Sequence, residues 1–233
     1  MPYKPIYYDT ETTGVKPERD RIIEIAAYDP ISNRTFVEFV HPGCPIPEEV
    51  SAITSITDDM VASASPFSVI GARFIEFCGQ DAILIAHNNE RFDKLFLEHE
   101  SSRCGLTLPS WKYIDTLKWS RKYRNDLPGH SLQSLREVYG IVANQAHRAL
   151  SDVQTLYQVF SLMIDDLPIE TVLALSSLPG EVTRMPFGKY QGRPLTEVPS
   201  DYIDWLKRSG SLDKGENKEL KEALLKLTRI QNT

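Results

Sequence analysis

The sequence predicts an α/β fold in which helices flank a layered sheet, followed by a small second module. Three β-disposed runs come in succession near the N-terminus, and from residue 66 onward segments with a helical period alternate with short apolar runs. The 233 residues are 41% hydrophobic and 25% charged, enough apolar material for one globular domain with an appendage. We therefore expect an α/β domain over residues 1–166, a linker with a short helix over 167–183 and a small α-rich module over 184–233.

The first three strands are expected to form an antiparallel meander. They are the apolar or alternating runs at residues 6–8, 21–28 and 35–40. Asp29-Pro30 marks the turn between the second and third runs. Prolines then interrupt regular structure around two short helices at 48–53 and 58–62, the second with Thr57 as its N-cap.

Beyond residue 66 the pattern is typical of parallel strands joined by helices. Residues 66–77 repeat apolar side chains with a helical period, and the compact apolar run 82–86 indicates a buried strand. A second short strand is expected at 111–115. Helices are expected after both strands, from residue 131, and in a long segment that follows Asp152.

Composition argues against a membrane-spanning or secreted protein and favours a cytoplasmic one. No apolar run approaches the roughly 20 residues that span a bilayer, and the first residues lack the apolar core of a signal peptide. Three scattered cysteines are typical of reduced thiols in a cytoplasmic protein. The net charge is −6, although residues 184–233 hold ten Lys or Arg against seven Asp or Glu. This balance does not fit a protein that coats DNA, but it suits a nucleic-acid enzyme whose bound cations supply positive charge.

Asp9 and Glu11 lie one residue apart at the end of the first apolar run. In a strand, side chains alternate between faces, so both carboxylates project to the same side. Two carboxylates this close ionise together only with a cation between them, and hard ions such as Mg²⁺ take oxygen ligands of this kind. Short Asp-x-Glu sequences also occur in solvated turns, so the pair alone leaves both interpretations open.

Two further motifs contain acids at similar places. Residues 87–93 follow the buried strand and end in Asp93, and His147 lies five residues before Asp152. Taken in order, the three motifs resemble those of the DnaQ-like exonucleases, in the subgroup with histidine in the third motif, over about the first 165 residues. The second motif is one residue longer than the common form of the family. This longer form resembles that of members similar to exonuclease I.

The resemblance implies both a fold and a reaction. The fold is RNase H-like, with a five-stranded mixed β-sheet whose first three strands are antiparallel. The reaction is hydrolysis of nucleic acid from the 3′ end to 5′-mononucleotides, with two Mg²⁺ or Mn²⁺ ions. Asp9 would bridge both ions, and Glu11 and Asp152 would complete the ion on the nucleophile side. Asp93 would serve the other ion, mostly through water, and His147 would act as the general base.

The resemblance also implies contacts with the terminal nucleotide. The residues concerned are Thr12, Thr13, Gly14, Ile56, Asn88 and Phe92. The first three would offer backbone amides to the sugar, and Ile56 would wedge against the last base, although residues 54–57 lack the His and Gly of many relatives. Asn88 and Phe92 would shape the site. We expect Asp115 to cap a helix or end a strand, and His87 to be structural.

The tail resembles the small C-terminal module of exodeoxyribonuclease X-like proteins. The match is Phe187-Gly-Lys-Tyr-x-Gly-x-Pro-Leu, followed by Tyr-x-x-Trp-Leu. One interpretation is nucleic-acid contact through Lys189, Tyr190 and Arg193. The other is packing against the catalytic body, through Phe187, Tyr202, Trp205 and Leu206.

We expect a 3′–5′ exodeoxyribonuclease that acts on single-stranded or frayed 3′ ends in repair or proofreading, with DNA favoured over RNA. Three alternatives stay open: a 3′–5′ exoribonuclease, a binding module that has lost the chemistry, and a two-metal hydrolase of a small phosphorylated metabolite. All four acids and His147 are present, which speaks against an inactive module. The sequence leaves open a homodimer and a repair or replication protein partner.

Overall fold

A computed structural model describes residues 3–142, 149–178, 182–214 and 217–231, with the side chains of 228–231 excepted. The chain divides into two compact units, Met1–Ser176 and Ser177–Thr233. Among the described residues, no helix combines the length and the apolar character needed to cross a bilayer.

The first unit confirms the predicted fold class, because helices flank a five-stranded mixed sheet. Its strands are β1 (Lys4–Thr12), β2 (Ile22–Asp29), β3 (Arg34–Phe39), β4 (Ala82–Ala86) and β5 (Lys112–Asp115). Its helices are α1 (Glu48–Thr54), α2 (Asp58–Val61), α3 (Phe67–Cys78), α4 (Asp93–Cys104), α5 (Thr116–Tyr123), α6 (Leu132–Val138), α7 (Ala149–Ile164) and α8 (Ile169–Ser177). Thr57 precedes α2 in extended conformation, as an N-cap does.

The strand order β3-β2-β1-β4-β5 places the acidic end of β1 at the centre of the sheet. β1, β2 and β3 pair in antiparallel fashion, as the predicted meander requires. β4 and β5 instead run parallel to β1. The carboxyl ends of β1, β4 and β5 therefore meet at one edge, where open α/β sheets hold their ligands.

Residues of β1 alternate between two cores. Ile6 and Tyr8 pack on one side with Phe74 of α3 and Phe96 of α4. Tyr7 packs on the other side against α7, where its ring lies 5.2 Å from that of Tyr157 in an edge-to-face arrangement. The side chains that follow along β1 therefore alternate between a face covered by α3 and α4 and a face covered by α7.

Helix α8 lies in residues 167–183, for which the sequence predicted a short helix and a linker. The buried side chain of Val172 packs in the core that α7 also lines. The Nζ of Lys122 donates to the carbonyl of Leu175 (2.8 Å). These contacts explain why the first unit extends to Ser176 and does not end near residue 166.

The second unit contains the helices α9 (Ser200–Arg208) and α10 (Lys218–Gln231). A hairpin precedes them, closed by a bridge between Arg184 and Pro194. Its apolar core is made of its own residues, with Met185, Leu195, Val198, Leu206, Leu212, Leu220 and Leu224 buried.

We expect Phe74→Ala to lower the free energy of unfolding by about 3–5 kcal/mol, because truncating a buried aromatic leaves a cavity. Phe74 is fully buried and its ring contacts those of Tyr8, Phe36 and Trp111. Urea unfolding measures the loss. Val69→Ala, at an exposed position of the same helix, should change the value by less than about 0.5 kcal/mol. Equal effects of the two variants would contradict the packing described for this face.

Candidate active site

Three carboxylates meet beside the acidic end of β1. Oxygen atoms of Asp9, Glu11 and Asp152 all lie within 4.8 Å of one another, and we call these three residues the carboxylate cluster. Asp9 and Glu11 share the face of β1 that α7 covers, and Asp152 lies in the first turn of α7. The pattern of alternation in a strand thus brings the first two together, and the helix adds the third.

A buried glutamate that the sequence analysis missed holds the start of α7. Glu24 of β2 lies opposite Glu11 in the antiparallel register and is 1% exposed. Its Oε2 accepts a hydrogen bond from the backbone N–H of Ala149 (3.1 Å), three residues before Asp152. The signal in the sequence was a charged residue inside an otherwise apolar strand, since acids are rarely fully buried without a partner.

Asp93, the first residue of α4, reaches β1 from the opposite face. Its Oδ1 accepts hydrogen bonds from the backbone N–H (3.0 Å) and the hydroxyl (2.8 Å) of Thr10. Thr10 is the residue between Asp9 and Glu11, so this pair of bonds fixes the buried Asp93 carboxylate next to the cluster. Thr10 is a second residue that the sequence analysis missed.

Burial and like charges both act on the pKa values of these acids. Burial raises the pKa of Asp9 well above its usual range, and the charges of Asp93, Glu11 and Asp152 raise it further. Burial raises the pKa of Asp93 to about 7, although its hydrogen bonds from Thr10 act in the opposite direction. Crowded carboxylates of this kind hold protons unless a cation replaces them.

The donor set suits a hard divalent cation. It consists of carboxylate oxygens only, which Mg²⁺ and Mn²⁺ prefer, whereas softer ions are typically held by thiolate or imidazole. The short distances among the three oxygens and the raised pKa of Asp9 both describe a site in which positive charge is stabilised. Asp9, Glu11 and Asp152 can therefore hold a metal ion, with Asp93 beside them.

Asp115 has the capping role that the sequence predicted. Its carboxylate accepts from the backbone N–H groups of Leu117 (3.0 Å) and Lys118 (3.2 Å) at the start of α5. It also accepts from the N–H groups of Asn88 (3.2 Å) and Glu90 (3.1 Å). Asp115 thus links the end of β5 to the turn that leads into Asp93.

Asn89, which the sequence analysis did not single out, joins three strands. It is fully buried, and its Nδ2 donates to the carbonyls of Leu84 (3.2 Å) and Ile114 (3.1 Å). Its Oδ1 accepts from the hydroxyl of Tyr8. The neighbouring Asn88 adopts a left-handed conformation with φ of +67°, and this turn directs Asn89 into the sheet.

His87 has the surroundings of a structural residue. Its Nδ1 lies 2.9 Å from the hydroxyl of Thr116, and burial lowers its pKa to about 4. A histidine with so low a pKa is neutral at physiological pH. His147, the predicted general base, lies outside the described residues.

The predicted nucleotide contacts have mixed surroundings. Ile56 is fully buried among Ile23, Ile46 and Val61, so this structure gives it a packing role and no surface for a base. Phe92 packs on Phe96, with ring centroids 4.9 Å apart.

Thr12, Thr13 and Gly14 lie in a tightly held turn. The N–H of Thr13 donates to the carbonyl of Arg21 (2.8 Å), so that amide is engaged within the protein. A side chain at position 14 would meet the carboxylate of Asp20, which explains the glycine. The buried Glu100 then anchors the turn, because its carboxylate accepts from Arg21 at 2.7 and 3.1 Å.

Comparison with known families supports this geometry. Residues 6–160 match a family model described as exonuclease. Residues 178–228 match a second model, described as "Putative quorum-sensing-regulated virulence factor".

Relatives at the sequence level include proteins named as DNA polymerase III PolC-type and as DNA polymerase III subunit epsilon. DNA polymerase III subunit epsilon from Treponema pallidum is 37% identical over 162 residues, which cover 67% of this chain and 74% of that protein. DNA polymerase III PolC-type from Caldanaerobacter subterraneus is 34% identical over 166 residues, or 70% of this chain. This chain spans only 12% of that second protein.

Solved structures of exonuclease I share the fold. Exonuclease I from Methylocaldum szegediense is 25% identical with a TM-score of 0.62, over 74% of this chain and 43% of that one. The zinc-bound complex of Escherichia coli exonuclease I with single-stranded DNA has a TM-score of 0.66 at 21% identity, over 75% and 43% of the two chains. This chain therefore spans less than half of either structure.

Without divalent metal, we expect the protein to lose stability as pH rises from 5 to 8. The pKa of Asp93 is about 7 in the folded protein and about 3.9 in an unfolded chain, so the folded state holds an extra proton that is lost as pH passes 7. The pKa of Asp9 is displaced in the same direction. The melting temperature in EDTA, measured by circular dichroism, should fall by about 5–10 °C over this range.

Added Mg²⁺ or Mn²⁺ should raise the melting temperature more at pH 8 than at pH 5, since only deprotonated carboxylates ligate. Asp93→Asn keeps an oxygen for Thr10 but cannot titrate, so this variant should depend less on pH. An equal response to metal at both pH values would contradict the raised pKa values.

Asp115→Ala is expected to lower the free energy of unfolding by about 2–3 kcal/mol, because four backbone N–H groups lose their acceptor. Asp115→Asn keeps one acceptor oxygen and should lose less. Urea unfolding compares the two variants. Both should keep the metal-induced rise in melting temperature, and its loss in Asp115→Asn would assign Asp115 to the metal site.

Proposed function

Because the chain belongs to the DnaQ-like exonuclease family, we propose that it is a 3′–5′ exonuclease that releases 5′-mononucleotides from DNA. The observation that carries this proposal is the meeting of the carboxylate cluster with Asp93 at one edge of the sheet. Four acids from three separate elements, β1, α4 and α7, come together there. The family match covers the same residues.

Asp9, Glu11, Asp93 and Asp152 would hold two Mg²⁺ or Mn²⁺ ions, with Asp9 shared between them. When bound, such ions make water more acidic and stabilise charge on the phosphate and on the leaving oxygen. The protein supplies the geometry: β1 presents two ligands, α7 a third and α4 a fourth. Glu24 and Thr10 act as positioning residues for α7 and for Asp93.

The general base in this proposal is His147. Water attacks the phosphorus of the last phosphodiester, and its proton passes to the imidazole. The bond between phosphorus and the 3′ oxygen breaks, so the shortened strand keeps a 3′ hydroxyl and the released nucleotide keeps its 5′ phosphate. A histidine suits this task because its pKa lies near neutrality.

The proposed substrate is the 3′ end of a single strand or of a frayed duplex, in DNA repair or proofreading. Two observations support it: the relatives are named as DNA polymerase III subunits, and one structure of similar fold is titled as a complex with single-stranded DNA.

Matched DNA and RNA oligonucleotides test this function. Labelled at the 5′ end, a DNA strand should shorten stepwise in Mg²⁺ or Mn²⁺ and stay intact in EDTA. Asp9→Ala should reduce the rate at least about a thousandfold, because it removes one carboxylate of the cluster that would hold the metal ions. Labelled at the 3′ end, the same strand should release its label in the first step as a mononucleotide.

Asp126→Ala is the matched control, since Asp126 is an exposed acid paired with Arg124 away from β1. It should leave the rate unchanged. Faster shortening of RNA than of DNA would assign the exoribonuclease reaction instead. Binding of both polymers without hydrolysis in any metal would overturn the proposal in favour of a binding module.

A further inference from the structure

Three aromatic rings form a continuous row on the second unit. Tyr190 contacts Tyr202 edge to face, with centroids 4.9 Å apart. Tyr202 stacks on Trp205 with centroids 5.5 Å apart and an angle of 23° between the planes. We call Tyr190, Tyr202 and Trp205 the aromatic row.

Trp205 reaches the surface at one end of the row, whereas Tyr190 and Tyr202 are half-buried and pack against the core of the second unit. Trp205 is 52% exposed, whereas Trp111 and Trp119 of the first unit are buried. On the same helix, the neighbouring Leu206 points into the core of the second unit and is 1% exposed. The two half-buried tyrosines therefore support an exposed tryptophan ring that is accessible to a ligand.

Two cations flank one end of the row. The Nζ of Lys189 lies 5.4 Å from the centroid of Tyr190, and the guanidinium of Arg193 lies 5.7 Å from the same centroid. Both side chains belong to exposed residues. Both positive charges are therefore close to the rings, where they can bind the negative charges of a ligand that contacts the aromatic row.

The hairpin fixes these cations relative to the rings. The N–H of Met185 donates to the carbonyl of Arg193, and the N–H of Gly192 donates to the carbonyl of Met185, both at 2.8 Å. Gly188 has a φ of +78°, and a Cβ there would come within 2.4 Å of the hydroxyl of Tyr202. Glycine at this position therefore lets the hairpin lie directly against the aromatic row.

We propose that the aromatic row with Lys189 and Arg193 is a binding site for single-stranded nucleic acid. An unpaired base stacks on the exposed ring of Trp205, which is itself stacked on Tyr202, and the two cations bind phosphates of the same strand. Stacking on aromatic side chains is tolerant of sequence, because every base has a π-face. The site lies in the second unit, whereas the carboxylate cluster lies in the first. Binding of a single strand does not depend on the proposed function; only the statement that this strand is also the exonuclease substrate rests on it.

Charge favours a nucleic acid over a protein ligand at this surface. Residues 184–233 carry an excess of Lys and Arg, in a protein whose net charge is −6. Of the two acids on α9 beside the rings, Asp204 is paired with Lys207 (3.1 Å). Proline-rich peptides also dock on aromatic surfaces, but they have no phosphates for the two cations.

Intrinsic fluorescence of the full chain tests the site directly, because Trp205 is the exposed one of the three tryptophans. Titration with oligothymidylate of about 20 nucleotides, in EDTA so that no strand is cut, should quench this fluorescence. An abasic strand of equal length should quench far less, since it has no bases to stack. Raising the salt concentration should weaken binding.

Variants separate the two components, with affinity measured by anisotropy of a labelled strand. Trp205→Ala should raise Kd roughly tenfold, and Trp205→Phe should restore affinity without the fluorescence signal. Replacing Lys189 and Arg193 by Ala together should lower the slope of log K against log salt by about 1.4. Lys221→Ala, which removes a charge paired with Asp213 on the same unit, should leave affinity unchanged.

Equal affinity of wild type, Trp205→Ala and the double variant would overturn the proposal. So would quenching by a polyproline peptide without quenching by the oligonucleotide, which would assign the row to a protein ligand. Because binding is measured in EDTA, a chain that binds but never hydrolyses would retain this site and lose the proposed function. If the protein hydrolyses DNA while the variants of the aromatic row bind with wild-type affinity, the proposed function stands and the binding site proposed here is wrong.

Discussion

Repulsion among carboxylates is the constraint on which the first unit depends. The oxygens of Asp9, Glu11 and Asp152 lie within 4.8 Å of one another, and like charges at that distance oppose folding unless protons or cations neutralise them. Burial of apolar side chains on both faces of the sheet offsets this repulsion, in one core under α3 and α4 and another under α7. Its parallel strands bring the acids to a single edge, and the helices on the two faces supply the acids that β1 lacks.

The surroundings of each acid decide its role. Asp115 and Glu24 are buried, and their oxygens accept hydrogen bonds from backbone N–H groups. Hydrogen bonds from N–H groups satisfy a carboxylate, so these two residues fix strand and helix ends. In the carboxylate cluster, oxygen atoms of three acids lie within 4.8 Å of one another. The acids of the first unit thus include structural links as well as residues that could hold a metal ion.

The local sequence pattern predicted those parts of the site that depend on the alternation of side chains along a strand or on the position of a residue next to a helix. The shared side of Asp9 and Glu11 follows from the period of a strand, and the cap at Asp115 follows from its place before a helix. The burial of Ile56 could not be predicted, since it depends on contacts with Ile23 from another strand. Nor could the role of Asn89, because only the left-handed turn at Asn88 decides which asparagine enters the sheet.

The separation of the acids along the chain has a consequence for synthesis. Asp9 leaves the ribosome early, whereas Asp152 and the helix that carries it come more than half a chain later. Domains generally fold as units while the chain grows from its N-terminus, and here the sheet must wait for β5 and then α7. A partly synthesised chain therefore contains Asp9 and Glu11 without Asp152, and the carboxylate cluster can form only after α7 has emerged.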